Sequence, residues 1–143
     1  MANIFRRSML IFAALALSGC ASMPAWGPDR VVYHIDDSTH ATAYLRNVRN
    51  HLSVDPKARI VVVSLADGVK FMLEDAKDRN GNPYNIIVEE LVDKGVVFDV
   101  CEITVQAFGL KKEQFIPEAH FVPSGVAEIG RLQYREGYAY LKP

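Results

Sequence analysis

The chain is short of cysteine, of charge of one sign, and of the motifs that mark nucleotide or metal sites. Cys20 and Cys101 are its only cysteines, and four histidines are its whole supply of imidazole. Lys and Arg number 16 against 17 Asp and Glu, a formal net charge of −1. No basic stripe interrupts that balance, so the electrostatic footprint of a DNA- or RNA-binding surface is missing and nucleic acid is not an expected partner. Neither GxGxxG nor GxxxxGK[ST] occurs, which leaves nucleotide and flavin sites without support. His34, His40, His51 and His120 stand at no metal-ligand spacing, so no metal and no cofactor are expected. Ser64 ends an apolar run without surrounding glycines, so the nucleophile elbow of a hydrolase is absent. There is no internal repeat and no low-complexity segment.

What is present begins with a leader. Arg6 and Arg7 precede the apolar run Met9 to Leu17. A bilayer span needs roughly 20 apolar residues. This shorter run therefore reads as an export leader rather than a membrane helix. Its end, Leu17-Ser18-Gly19-Cys20, resembles the lipobox of bacterial lipoproteins. That resemblance implies cleavage before Cys20, a diacylglyceryl thioether on its sulfur and an acylated amino group. The other reading is ordinary cleavage after Ala21 or nearby, leaving Cys20 in the leader or as a stray thiol. No Asp follows the cysteine. By the same resemblance this implies the periplasmic face of the outer membrane in a host with two membranes. Three segments are expected: a leader over 1–19, a lipidated tether over 20–29 that is small and Pro/Gly-bearing, and one domain over 30–143. Loss of Arg6 and Arg7 with the leader takes the formal charge to about −3.

Within 30–143, strands and helices alternate. Residues 31–36 form a β-branched first strand. Ser38 is placed to cap a helix whose apolar face is Ala41, Leu45, Val48 and Leu52. Residues 59–65 hold Ile60, Val61, Val62 and Val63 in a row, without alternation, as expected of a strand buried on both faces of a parallel sheet. Val69, Phe71, Met72, Leu73 and Ala76 predict a short helix over 67–78, the least determined stretch. Asn82 is the expected N-cap and Pro83 the first residue of a helix over 83–93, which Lys94 and Gly95 end. Residues 96–101 form a third strand, followed by a short helix stopped by Gly109. Ser124 caps a last helix with Val126, Ile129 and Leu132 or Gln133 toward the body, and residues 138–141 close the sheet. The expected fold is α/β, a three-layer sandwich with a mostly parallel sheet.

Cys101 is the leading site candidate. It lies at the carboxyl end of the third strand, the edge where ligand crevices form in open α/β sheets. A helix starting there supplies N–H groups and partial positive charge that favour a thiolate, while Asp99 and Glu102 oppose it. The residue type alone fits a buried, inert cysteine equally well. If Cys20 carries lipid, Cys101 has no partner for an internal disulfide. Asp37, Ser38 and His40 sit where the first strand gives way to a helix, fit for ligand binding or merely for capping; Asp36 beside them points elsewhere in extended geometry. Asn80 and Asn82, with Tyr84, belong to a polar turn that either arches over the same edge or is simply solvated. Ser124 and Gly125 offer a hydroxyl and free N–H groups at a helix start, a generic anion niche. Phe121, Tyr134, Tyr138 and Tyr140 are expected mostly in the core.

Residues 95–109 (GVVFDVCEITVQAFG) and the closing VPSGVAEIGRLQYREGYAYLKP resemble the DsrE/DsrF-like family of small sulfur-oxidation and sulfur-relay proteins, over about 31–143. The resemblance implies that fold, and a persulfide-carrying cysteine after the Gly-Val strand, the position of Cys101. It implies a homo-oligomer and a thiol or persulfide protein as donor or acceptor. The relay members work in the cytoplasm, whereas this chain has an export leader. The expected function is a sulfur carrier or relay accessory with a persulfide on Cys101. The alternatives are a membrane-anchored ligand- or protein-binding module without turnover, and a redox-sensing thiol.

Overall fold

A computed structural model describes residues 27–143; the leader, Cys20 and Trp26 lie outside the described residues, as does most of the expected tether. Five strands form one sheet: β1 (Arg30–Ile35), β2 (Arg59–Ser64), β3 (Val97–Cys101), β4 (Ala119–Val122) and β5 (Ala139–Leu141). Their order is β4-β3-β2-β1-β5, and every pairing is parallel. Four α-helices join them: α1 (Ala41–Val54), α2 (Tyr84–Asp93), α3 (Glu102–Ala107) and α4 (Gly125–Glu136).

The expected α/β sandwich is therefore present, and its parallel character follows from the Ile60-Val61-Val62-Val63 run. Ile60 and Val62 join one core with α1, α2 and Val105 of α3. Val61 and Val63 join another with Leu132 of α4, against which Ile129 also packs. Burying each such side chain stabilises the fold by roughly 1.5–3 kcal/mol, so the central strand anchors both layers.

The path of the chain matters for function. From β1 it steps outward through β2 and β3 to β4, and the crossovers before β4 pack on the first face. After β4 it returns across the opposite face through α4 and reaches β5 beside β1. The connections leaving β3 and β4 thus diverge to opposite faces. Adjacent strands whose connections diverge leave a crevice at their carboxyl ends.

Several local expectations are corrected. The stretch expected as a helix over 67–78 is a run of 3-10 turns at Ala66–Met72 followed by irregular chain. Gly68 explains this: a Cβ there would fall 2.2 Å from the carbonyl oxygen of Ile35, so the segment is pressed against β1. Asp37, not Ser38, caps the turn at Ser38–His40, accepting from Thr39 N–H at 2.8 Å. Ser38 instead donates its hydroxyl to Asp67 at 2.5 Å. Asn82 caps nothing, because it is turned back onto Asp78; Pro83 holds the cap position of α2. Val126 points outward, 69% exposed, and α4 buries Gly125 and Leu132. None of the four C-terminal aromatics is buried: Tyr134 is 93% exposed, Tyr140 lies on the edge strand, and Phe121 and Tyr138 are half-buried. The edge strand β4, short and half-exposed, carries no alternation strong enough to announce itself.

Candidate functional site

Cys101 ends β3 and at the same time caps α3, with φ −70° and ψ 111°. Its Cα pairs with Val122 at the end of β4. The thiol therefore stands at the crevice where the connections diverge. Ser124 opens α4, accepting weakly from Ala127 N–H at 3.4 Å, and Gly125 is the first residue of that helix.

Two helix starts converge on the sulfur. The N–H of Gly125, the hydroxyl and N–H of Thr104 and the N–H of Ile103 lie on its side and favour the thiolate, although the thiol makes no capping hydrogen bond to α3. Burial pushes the thiol up, but these donors outweigh it and hold Cys101 below the ordinary cysteine value. Absence of a side chain at Gly125 permits the approach. A Cβ there would lie 3.2 Å from Cys101 Cβ and 3.2 Å from Leu65 Cδ2. Thr104 is itself held, since its Oγ1 accepts the N–H of Ala66 at 3.2 Å. Its own proton is then free for the sulfur. Ala66 has φ +48°, the one non-glycine residue in the left-handed region among the described residues. Such strain persists where surrounding contacts over-determine it.

Cys101 is only 5% exposed. The first turns of the two helices nevertheless carry the outward-facing Ile103 (60% exposed) and Val126 (69% exposed). The site thus combines a covered, activated thiol with apolar side chains beside it.

The sequence-predicted residues divide into two groups. Gly125 meets Cys101, and Ser124 precedes it as the cap of α4. Ser38, His40 and Asn80 lie instead along a groove near the start of α1, whose lining includes neither Cys101 nor Gly125. Asp37 orders the rim of that groove by holding Thr39 and His40, and Asn82 lies in the adjoining turn. Thr104, Leu65 and Ala66 were not singled out from sequence. Thr104 alone had a signal, as a hydroxyl residue three positions past a strand-end cysteine. A further pair escaped notice. Asp99, two residues before Cys101 on the same face of β3, is 4% exposed and binds Nδ1 of His120 at 2.7 Å. Burial raises the Asp99 carboxyl, the His120 contact only partly offsetting it. Among the described residues no cluster of three or more His, Cys, Asp or Glu is placed to hold a metal.

Fold and site define a class: a small parallel α/β protein with a single activated thiol at its switch-point crevice. The chain belongs to the DsrE/DsrF-like family, whose model matches residues 12–143. It is similar in structure to a protein of unknown function from Methanobacterium thermoautotrophicum, at 34% identity over 80% of this chain and 99% of the other, with a TM-score of 0.71. The ychN protein of E. coli shares the fold, with a TM-score of 0.64 at 14% identity over 80% of this chain and 97% of that one. No curated protein matches the chain. No helix among the described residues is long and apolar enough to cross a membrane.

Proposed function

We propose that the protein is a sulfur carrier or sulfur-relay accessory that holds sulfane sulfur as a persulfide on Cys101. One observation carries the proposal: the sulfur sits where two helix starts aim N–H donors at it, in a family associated with sulfur relay. The Cys101 thiolate attacks the terminal sulfur of a donor persulfide, RSSH. The donor S–S bond breaks, RS⁻ leaves, and Cys101–SSH forms without net oxidation. An acceptor thiolate then attacks that outer sulfur and regenerates the Cys101 thiolate. No second cysteine in the domain competes for the outer sulfur, so delivery passes to another protein or a small thiol. Ile103 and Val126 are the apolar contacts such a partner meets beside the thiol. Lipid attachment at Cys20 and assembly into a homo-oligomer belong to the same proposal, supported by the leader pattern and the family resemblance.

Intact-mass spectrometry tests it. After reduction and exposure to polysulfide, the chain gains about 32 Da at Cys101, and an added thiol removes it. Cys101→Ala gains nothing there. A thiol that neither takes up sulfur nor reacts with iodoacetamide sinks the proposal. The 5% exposure of Cys101 favours a second reading, a binding module in which the cysteine only packs. That reading requires partner binding to survive Cys101→Ala. Mass gains in multiples of about 16 Da under mild peroxide point instead to a redox-sensing thiol.

A further inference from the structure

The groove holding Ser38, His40 and Asn80 has a charge character that its predicted residues did not disclose. Two adjoining cavities, about 290 and 360 Å³, share Thr39 and Arg79 in their walls. Lys70 and Lys77 line the first, and Arg46 and His40 the second. No carboxylate lines either cavity. Three acids beside the groove are already engaged: Asp67 by Lys70 and Ser38, Asp37 by Thr39 and His40, and Asp78 by Asn80 and Asn82. Arg46, Lys77 and Arg79 make no ion pair among the described residues.

We propose that this groove binds a small organic anion with at least two negative groups, spanning both cavities across Arg79. Each cavity approaches the size of a small-ligand site, at roughly 300 Å³ and above. Besides the shared Arg79, each cavity brings an unpaired cation of its own, Lys77 in the first and Arg46 in the second, which a single anionic group does not use. Arg79 stands between them with a planar guanidinium suited to carboxylate or phosphate oxygens. Tyr84 of the first cavity and Thr42 of the second share one hydrogen bond at 3.3 Å. One of these two hydroxyl protons makes that bond, and the other is left to donate to a ligand. Phe71 and Tyr84, stacked edge to face at 5.9 Å, give the first cavity an apolar floor suited to the carbon skeleton of an organic anion. A macromolecular polyanion has no need of that recess.

The test is a titration of the full chain with inorganic pyrophosphate, followed by amide NMR shifts at physiological ionic strength. Saturable shifts confined to the segments around Thr39, Arg46, Lys70 and Arg79 are expected. Arg79→Gln weakens binding by at least about tenfold, the loss expected for a charge-assisted contact. Arg46→Gln and Lys77→Gln each weaken it by about threefold or more, and the distant Lys57→Gln by less than about twofold. All four side chains are exposed, so the variants keep the native spectrum outside the groove. Cys101→Ala leaves binding unchanged, which separates this proposal from the persulfide reading. Shifts that do not saturate, or an equal loss in Arg79→Gln and Lys57→Gln, overturn it. So does Arg79-dependent sedimentation with phosphatidylglycerol vesicles when pyrophosphate gives no shift, since the groove then serves a lipid surface.

Discussion

Replacing Gly125 by alanine perturbs the thiol through geometry alone. Gly125 does not occupy the left-handed region, so the added methyl brings no backbone strain. It brings contacts at 3.2 Å to Cys101 Cβ and at 3.2 and 3.3 Å to Leu65. Ordinary carbon contacts sit at about 3.5–4.0 Å. The start of α4 must therefore retreat by a few tenths of an ångström, and the Gly125 N–H moves off the sulfur. A hydrogen bond to a charged acceptor contributes about 1.5–3 kcal/mol. Losing about 1.4 kcal/mol of thiolate stabilisation lowers the thiolate fraction about tenfold at a pH below the thiol's pKa. The more basic thiolate is intrinsically about threefold more nucleophilic, for a Brønsted slope of 0.4–0.5. Gly125→Ala should thus react with iodoacetamide about threefold more slowly near neutral pH, and about threefold faster once both thiols are fully ionised. The two pH–rate curves cross. Parallel curves displaced downward at every pH mean the methyl merely blocks access, and superimposed curves mean the Gly125 N–H does nothing for the sulfur. Either result refutes the two-helix cradle.

Thr104→Val removes a hydroxyl beside the sulfur and the partner of the exposed Ala66 N–H; a stability loss of about 0.5–1.5 kcal/mol by urea titration is expected, with thiol reactivity moved to higher pH. Gly68→Ala forces a carbon to within 2.2 Å of the Ile35 carbonyl oxygen and should cost about 3 kcal/mol, read as a lowered denaturation midpoint. Ser124→Ala removes a long capping bond and should cost only about 0.5–1 kcal/mol, so a larger loss would show that the hydroxyl has another partner. His120→Ala leaves the buried Asp99 carboxylate without its ring partner and should cost about 1–3 kcal/mol near neutral pH. Asp99 already has a raised folded pKa and the variant raises it further, so the deficit belongs to the charged form. It is fully present above the variant's further-raised pKa and shrinks as pH falls from there to the raised folded pKa of the unmodified chain; a deficit constant with pH refutes the assignment.

Those residues also show where the sequence was legible. The Val-rich β2, the cysteine at the end of β3 and the Ser124 cap were readable because each depends on neighbours within a few positions. The crowding at Gly125 was not, because the atoms that crowd it belong to Leu65 and Cys101, which pattern alone does not bring together. Ala66–Met72 misled for a related reason. Val69, Phe71 and Met72 are buried, as a helix face would be. The backbone, however, is set by contact with β1 at Gly68 rather than by local periodicity. The tyrosines failed because apolar character does not say which side of a five-stranded sheet has room. The second face carries α4 alone among the described helices, so Tyr134 has nothing to pack beneath. The cations of the groove were invisible because Arg46, Lys70, Lys77 and Arg79 come from separate segments and acquire a common direction only on folding.

The 3-10 segment makes the two sites mechanically related although they share no lining residue. At one end, Ala66 holds the Oγ1 of Thr104, and through it a donor to the Cys101 sulfur. One residue on, Asp67 accepts from the Ser38 hydroxyl and pairs with Lys70, fixing part of the groove wall. Lys70 also lies 5.2 Å from the ring centroid of Phe108, which caps the carboxyl end of α3. The helix whose start cradles the thiol therefore has its other end against a groove cation. An anion that draws Lys70 away from Phe108 or Asp67 acts on the segment that positions Thr104. Comparing Cys101 alkylation rates with and without saturating pyrophosphate measures this connection directly. A change abolished by Arg79→Gln assigns it to the groove. An unchanged rate means that Gly68, wedged against β1, isolates one end of the segment from the other.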